Sequence, residues 1–308
     1  LYQTRNGQIW AGNRKGLLEF NPSDGKFTLF RPDKAVAENQ ISNSVYTILE
    51  DRFGRLWAGT LGGGLTEFDR RLKKFNTFRK ITDDSSSISH NSVISLCEDR
   101  FGFFWIGTYG GGLNRMDRKT GKFVTYTKDN GLPDNMIYSI LDDSKGNLWI
   151  STNSGIARFD TKTKKFRNYD ALDGLQSNEF NIGAALRLEN GEMLFGGIAG
   201  MNWFFPDSIP GNNFVPPIVI TCFKVMDEEV IPSPKVELNY NQNYITFEFS
   251  SLSYALADKN RFAYKLEGFD NDWIYANNRR LATYSNLEPG EYTFSVKGSN
   301  SDGLWNEE

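Results

Sequence analysis

Few residues of this chain have the type and spacing that enzyme chemistry requires. His90 is the single histidine, so a histidine cluster for zinc is excluded, as is a Ser/His/Asp set that does not use this residue. Cys97 and Cys222 are the two cysteines, too few for a disulfide framework. We interpret His90, in the segment SISHNSV, as a polar residue of a connection, and we expect neither a metal nor a cofactor.

Carboxylates are plentiful, so glycoside hydrolysis by two acidic groups has to be considered. Asp51, Asp99 and Asp143 occupy equivalent positions in the segments DRFGRLW, DRFGFFW and DSKGNLW. Aspartate caps its own backbone two residues on, so we interpret these three as turn formers. No pair of carboxylates stands apart from this pattern as acid and nucleophile, and a D-x-D-x-D-G calcium loop is absent. The sequence therefore predicts a non-catalytic chain.

The same segments belong to a repeat that runs through the first two thirds of the chain. Four tryptophans recur at spacings of 47, 48 and 44 residues, and Leu194 takes the next place 45 residues on: Trp10, Trp57, Trp105 and Trp149. Each copy has a strand ending in WAGT or a similar segment, a glycine turn, two further strands such as GLTEFD and KFNTF, and a long polar connection to a fourth strand such as VISLCED. Four short strands in a period of about 45 residues are typical of a β-propeller blade. A sandwich would not return the same side chains at a fixed period, and the glycines and β-branched residues exclude a helical repeat.

The repeated residues have structural explanations. We expect the tryptophans to pack between neighbouring blades and the glycine of WxGT to let a neighbouring backbone approach closely. The GGG turns permit positive φ angles in a hairpin. We interpret the recurring asparagine of the connections as a turn residue: Asn43, Asn91, Asn135 and Asn178.

The 45-residue rhythm stops at a cluster of prolines and glycine in PDSIPGNNFVPP, and we place a domain boundary there. Residues 1–210 are predicted to form the propeller portion, and residues 211–308 a β-sandwich of the immunoglobulin or fibronectin kind, built from strands such as IVITCFKV and EYTFSVKGSN. Tyr292, in LEPGEYTF, fits a tyrosine corner, whose hydroxyl bonds back to nearby backbone. Tyr254, Tyr264 and Trp273 are predicted to be core residues. The fold class is therefore all-β.

Charge and hydropathy exclude two classes of partner. The net charge is −3 with both signs interspersed, which lacks the basic stripe that a phosphate backbone demands, so nucleic acid is not expected as a partner. No apolar run reaches the roughly 20 residues of a membrane span.

Two segments of the chain resemble a known family. DRFGRLWAGTLGGGLTEFD, DRFGFFWIGTYGGGLNRMD and DSKGNLWISTNSGIARFD resemble two-component regulator propeller repeats, and the resemblance covers about residues 1–205. The tail, with YITFEFSSLSY, FAYKLEGFDNDW and LEPGEYTFSVKGSNSDGLW, resembles the triple-tyrosine (Y_Y_Y) domain that follows such propellers. The resemblance implies the periplasmic sensor region of a hybrid two-component histidine kinase anchored in the inner membrane.

The resemblance also implies a mode of action. An oligosaccharide released from a polysaccharide would bind a homodimer of ectodomains, and the signal would pass through a membrane helix to a cytoplasmic phosphorelay that regulates polysaccharide-utilisation genes. We further expect the propeller to be part of a larger one and the sandwich to be truncated at its C-terminus.

A ligand site is expected where the turns after WxGT and the connections between blades meet. In a four-stranded meander these loops lie at the same end of each sheet, and residues that vary there are not needed for the repeat. An arginine, a lysine, an exposed ring, amides and a carboxylate would suit a glycan, through stacking and hydrogen bonds. The predicted site comprises Arg14, Lys15, Tyr109, Asn153, Asn178 and Glu179.

Two other functions stay open at this point. A propeller hydrolase or lyase acting on carbohydrate would need acids that break the repeat and converge near the axis. A protein-interaction platform would need an exposed apolar rim, for which Leu61 and Ile198 are the candidates.

Overall fold

The computed structural model describes residues 1–31, 44–231, 233–253 and 256–307. These residues form two compact units, Leu1–Ile209 and Pro210–Glu308. The prediction for Asn43 and that for Tyr254 lie outside the described residues. Among the described residues, no helix combines the length and apolar character that a membrane crossing requires.

The first unit consists of five antiparallel sheets in chain order, each a simple meander. Their strands are β1 (Tyr2–Gln3), β2 (Ile9–Asn13), β3 (Gly16–Asn21) and β4 (Lys26–Phe30); β5 (Val45–Glu50), β6 (Leu56–Thr60), β7 (Gly64–Asp69) and β8 (Lys74–Phe78); β9 (Val93–Glu98), β10 (Phe104–Thr108), β11 (Leu113–Asp117) and β12 (Lys122–Tyr126); β13 (Ile137–Asp142), β14 (Asn147–Thr152), β15 (Gly155–Asp160) and β16 (Phe166–Tyr169); and β17 (Phe180–Arg187), β18 (Met193–Gly197) and β19 (Gly200–Phe204). The strand after each long connection pairs with the following WxGT strand, so it begins the next sheet. The predicted propeller blades, and with them the all-β fold class, are confirmed.

The core of this unit lies between successive sheets. The tryptophan of each of the first four sheets is buried against apolar residues of the sheet that follows. Trp57, for example, packs on Phe104 with ring centroids 4.9 Å apart, and Trp105 meets Phe159 edge-on at 5.6 Å. The predicted packing role of the tryptophans is confirmed, because each ring fills the space between two blades.

The glycine of WxGT has the predicted role as well. A Cβ at Gly59 would lie 2.7 Å from the carbonyl oxygen of Val93, and one at Gly107 would lie 2.6 Å from Ile137 Cγ2. Both neighbours belong to the first strand of the next sheet, so the glycines permit the close approach of one blade to the next.

The second unit contains two antiparallel sheets, ordered β21-β20-β22-β25 and β24-β23-β26. The strands are β20 (Ile218–Val225), β21 (Glu228–Val230), β22 (Ile245–Ser251), β23 (Arg261–Glu267), β24 (Ile274–Asn277), β25 (Leu281–Tyr284) and β26 (Thr293–Ser299). Their apolar core includes Tyr264, and the Tyr292 hydroxyl donates to the carbonyl of Glu288 at 2.8 Å, as a tyrosine corner requires. Trp273 instead lies half-buried over Lys297, whose Nζ is 4.5 Å from the indole centroid.

Candidate functional site

The turns after WxGT and the long connections meet at the same end of the sheets. The amide of Leu61, in the turn after β6, donates to the carbonyl of Ser44 in the preceding connection at 2.9 Å. The amide of Gly64, just beyond that turn, donates to the carbonyl of Asn91 in the following connection at 2.7 Å. The same bond to the following connection recurs from Gly112 and Gly155. We call this end the loop face: the turns 13–15, 61–63, 109–111, 153–154 and 198–199 with the connections 79–92, 127–136 and 170–179.

The recurring asparagines build this face. Asn91, Asn135 and Asn178 each accept through Oδ1 a backbone N–H from the start of their own connection, at 2.7, 2.9 and 2.8 Å. Their carbonyls accept the amides of Gly64, Gly112 and Gly155. Asn178, which the sequence also suggested as a ligand contact, therefore has a structural task that it shares with its two counterparts.

Three of the predicted site residues lie near Tyr138, a residue that no motif of the sequence marks. Tyr109, with 40% of its surface exposed, pairs with Met136 just beyond β10. The Tyr138 hydroxyl lies 3.4 Å from Asn153 Oδ1. Burial raises the pKa of Tyr138, and the nearby Tyr109, Glu179 and Asp134 raise it further. Asn153 is thus within hydrogen-bond reach of Tyr138, Tyr109 pairs with a residue two positions before it, and Glu179 is near enough for its charge to act on the Tyr138 hydroxyl.

Arg14 and Lys15 occupy a different part of the loop face. They lie in the exposed turn between β2 and β3, in the first sheet, whereas Tyr109 follows a strand of the third. Asn13 Oδ1 closes this turn by accepting the amides of Lys15 at 2.8 Å and Gly16 at 3.0 Å. Arg14 and Lys15 therefore belong to a different blade from the residues near Tyr138.

A cavity of about 490 Å³ lies among the first strands of the sheets. Its walls are β5, β9, β13 and β17, together with Leu1 and Gly12. The described lining residues carry no carboxylate, imidazole or thiol, and Tyr138 is one of them. The cavity thus lies next to Tyr138, and its described lining offers no pair of carboxylates for glycoside hydrolysis.

The repeated aspartates are structural, and His90 is too. Asp51 Oδ1 accepts the amides of Phe53 and Arg55, both at 3.0 Å, while its Oδ2 accepts the indole N–H of Trp57 at 3.0 Å. His90 Nδ1 accepts the amide of Ser92 at 3.0 Å. Within the described part of the chain, no three His, Cys, Asp or Glu side chains are grouped so as to hold a metal.

Comparison with known proteins identifies both parts of the chain. The sequence profile of the two-component regulator propeller matches residues 39–62, 87–110 and 131–154, and that of the Y_Y_Y domain matches residues 253–308. A protein of Formosa agariphila named Histidine kinase P4 is 33% identical over 192 residues, which are 58% of this chain and 14% of that protein.

Solved structures agree with these matches. The extracellular domain of a protein from B. thetaiotaomicron, assigned to a hybrid two-component system, is 25% identical with a TM-score of 0.50, covering 100% of this chain and 48% of its own. A second such extracellular domain from the same organism shares the fold, with 21% identity, a TM-score of 0.55, and 100% and 55% coverage. The chain spans about half the length of these domains. The chain contains two-component regulator propeller repeats followed by a Y_Y_Y domain, and it is similar to extracellular domains assigned to hybrid two-component systems.

Proposed function

We propose that this chain is the ligand-sensing, non-catalytic part of a periplasmic ectodomain whose parent is a hybrid sensor histidine kinase. The signal is a breakdown product of a polysaccharide. The observation that carries the proposal is that Tyr109, Asn153 and Glu179 lie near Tyr138, on a loop face where these side chains vary between the copies of the repeat. The profile matches and the histidine kinase relative support the signalling context.

The chemistry of the loop face suits a glycan. The exposed ring of Tyr109 offers a surface on which the C–H face of a sugar can stack, and Asn153 and Glu179 offer polar atoms for hydroxyl groups. Arg14 and Lys15 extend the polar surface to the first sheet, and Asn178 holds its connection in place beside Glu179. A ligand bound to the loop face would leave the apolar packing between the sheets undisturbed.

Signalling requires no chemistry in this chain. A ligand shifts a two-state equilibrium by its differential affinity for the two states, and coupling free energies of about 1–3 kcal/mol are typical. In the proposed scheme the ligand changes the arrangement of two ectodomains in a homodimer, and the Y_Y_Y domain passes the change to a membrane helix.

The hydrolase or lyase alternative is less well supported. It needs acidic side chains that converge in a pocket, whereas the described residues that line the cavity among the first strands include none. The aspartates of the repeat are engaged in their own turns and with tryptophan.

The interaction platform would have to use the outer face of the fifth sheet, which is also the face on which a further blade would pack in the larger propeller that we expect. Leu186, Leu194 and Trp203 are direct neighbours across β17, β18 and β19. Trp203 is 67% exposed and Leu186 56%, although the equivalent row of each earlier sheet is covered by the next sheet. Sedimentation of the chain with Trp203→Ser, against Tyr275→Ser in the second unit as control, tests whether this row associates.

Calorimetric titration with a panel of oligosaccharides, with product analysis of the same mixtures, tests the proposed function. We expect saturable binding without cleavage, weakened by Tyr109→Ala and unchanged by Tyr275→Ala, an exposed tyrosine of the second unit. Cleaved sugar would revive the hydrolase. Absence of binding across the panel would leave the interaction platform as the better explanation.

A further inference from the structure

Cations are concentrated in the last two strands of three neighbouring sheets. The equivalent segments 67–76, 115–124 and 158–167 each begin opposite the tryptophan of their sheet and end in its last strand. Together they contain thirteen lysines and arginines but four aspartates and glutamates. The corresponding segment of the first sheet, 19–28, contains one cation and two acids, so the blade does not need the cations. We call the three segments the basic edge.

Contacts between sheets join these segments into one surface. In the turn before β8, Lys73 Nζ lies 3.3 Å from Glu19 Oε2 of the first sheet. Gly121 holds the same turn position in the third sheet, and a Cβ there would lie 3.2 Å from Phe78 of the second. Each turn thus contacts the preceding sheet. The charges look interspersed in the sequence because more than 30 residues separate one segment of the edge from the next.

The aspartates of the basic edge serve their own turns. Oδ1 of Asp69, Asp117 and Asp160 accepts the backbone amide two residues on, at 2.8 Å in each case. Glu67, the fourth acid, lies 3.4 Å from Arg55 Nη1. These carboxylates shape the hairpins, and the cations exceed them three to one.

One seam between sheets brings two cations together. Lys164, in the fourth sheet, holds the turn position of Lys73, and Arg115, in the third, holds the strand position of Glu19. The ion pair of the first seam is therefore replaced by two like charges. Like charges destabilise each other unless a counter-ion lies between them.

The pKa of Lys164 is in accord with this arrangement. Burial lowers the pKa of Lys164 and the charge of Arg115 lowers it further, while Asp160 and Asp99 oppose the shift. The two cations are thus close enough to act on each other. An anionic group bound at this seam would take the place that Glu19 has in the first one.

A cavity of about 530 Å³ opens on the basic edge at the second sheet. Phe68, Leu72 and Phe75 give its lining an apolar part. Four cationic side chains also line it: Arg55, Arg70, Arg71 and Lys74. Such a concave site admits a sugar ring and offers cations to its carboxylate or sulfate.

We propose that the basic edge binds an acidic polysaccharide, whose carboxylate or sulfate groups contact cations of successive sheets. Cations repeated from blade to blade suit a polymer with a repeated anion, and the concavity suits a sugar unit better than a flat bilayer. The site goes beyond the proposed function, because the turns of the edge lie at the opposite end of the sheets from the loop face. It shares with that function only the extracytoplasmic setting.

The test is biolayer interferometry of the chain on immobilised heparin and polygalacturonate, with neutral dextran as the blank. We expect an acidic polysaccharide to bind at about 50 mM salt, with an affinity that falls as salt rises, because bound cations release counter-ions. Joint substitution of Lys162→Gln and Lys165→Gln should weaken binding about ten-fold and flatten the salt dependence. The matched control is Lys80→Gln with Lys128→Gln, two exposed lysines of the long connections, which changes the net charge equally and should bind like the parent.

Arg115→Glu provides a second readout, because it gives the seam the charges of Glu19 and Lys73. We expect stability to urea in the free chain to be equal or higher, and the affinity for the acidic polysaccharide to fall. A cation with a merely structural role would lower stability instead.

Three outcomes would overturn the proposal. They are absence of binding to either acidic polysaccharide, an equal loss in the Lys80 and Lys128 control, and tighter binding of single-stranded DNA or phosphatidylglycerol vesicles. In each case the proposed function stands, because the loop face is tested separately. Tyr109→Ala should leave binding to the basic edge unchanged, so failure of one proposal is distinguishable from failure of the other.

Discussion

The indole Nε1 of Trp105 donates a hydrogen bond of 2.8 Å to Oδ2 of Asp99, six residues earlier in the chain. The other oxygen of the same carboxylate accepts the amides of Phe101 and Phe103, both at 2.9 Å. One buried side chain therefore closes the turn before the strand and fixes the ring that packs between two blades. The pair recurs as Asp51 with Trp57 and as Asp143 with Trp149.

Removal of this carboxylate should destabilise the propeller unit strongly. Asp99→Ala leaves the buried indole N–H and two partly buried amides without their acceptor, and each buried unsatisfied donor costs about 1–3 kcal/mol. We expect a loss of about 3 kcal/mol or more in urea unfolding followed by tryptophan fluorescence. Asp24→Ala, in an exposed turn, is the control. Equal effects of the two substitutions would show that the carboxylate only forms a turn.

The first sheet offers the reverse experiment. Trp10 is fully buried, but its Nε1 has no partner among the described residues, because Thr4 holds the place of the aspartate. The backbone turn is the same: the Thr4 amide donates to the Gln8 carbonyl at 2.9 Å, as that of Asp51 does to Arg55. Thr4→Asp should therefore stabilise the chain by about 1 kcal/mol. In a Trp10→Phe background this gain should disappear, and its persistence would contradict the pairing.

The stability of the chain should depend on Asp51 in acid. Burial alone would raise the pKa of Asp51, but hydrogen bonds from Trp57 and the Arg55 amide, with the charge of Arg55, hold it below its ordinary value. Such a group stabilises the folded state above its unfolded pKa of about 3.9, and the stabilisation is lost as the pH falls through the lower folded value. Asp51→Asn should be less stable than the parent at pH 7, with the difference shrinking below about pH 4.

Asp142 serves as the matched comparison, because its pKa moves the other way. Burial raises the pKa of Asp142, although Arg187, 3.0 Å away, opposes the shift. Its contribution to stability is therefore lost as the pH rises above about 4 and through the raised folded pKa. Asp142→Asn should gain stability relative to the parent between about pH 4 and 7. Parallel pH profiles for the two variants would contradict these assignments.

The glycine of WxGT should be essential only where a blade follows. A Cβ at Gly107 would lie 2.6 Å from Ile137, whereas one at the equivalent Gly196 meets Ala184 Cβ at 3.2 Å within its own sheet. Overpacking of this kind costs about 1–3 kcal/mol. Thermal unfolding should therefore show a clear loss for Gly107→Ala and little change for Gly196→Ala. A similar loss in both would mean that backbone freedom matters more than blade contact.

The tyrosine corner of the second unit should be worth one hydrogen bond. Tyr292→Phe keeps the ring packed but removes the 2.8 Å bond to the Glu288 carbonyl. We expect a loss of about 1 kcal/mol in unfolding of this unit, and no loss for Tyr275→Phe, which is exposed. Intrinsic fluorescence and circular dichroism in urea would measure both.

Features that depend on local spacing could be predicted from the sequence. The period of the tryptophans set the sheets, and turn chemistry located the aspartates, the asparagines and Tyr292. The constant interval of six residues between aspartate and tryptophan was also visible in the sequence, but the hydrogen bond between the two side chains was not predicted. Whether the two side chains meet depends on how the turn folds back over the strand. The fifth copy of the repeat carries a signal of this contact, because Leu188 stands in place of the aspartate and Leu194 in place of the tryptophan.

Which residues share a site depends on the packing of the blades against one another. No feature of the sequence separated the six predicted site residues from one another. Blade packing places Tyr109, Asn153 and Glu179 near Tyr138, whereas Arg14 and Lys15 lie in the first sheet. Tyr138 itself could not be found from the alternation of side chains, because a bulge breaks that alternation at this residue. Neighbours across blades are more than 40 residues apart in the chain, and only the packed rings and paired strands bring them together.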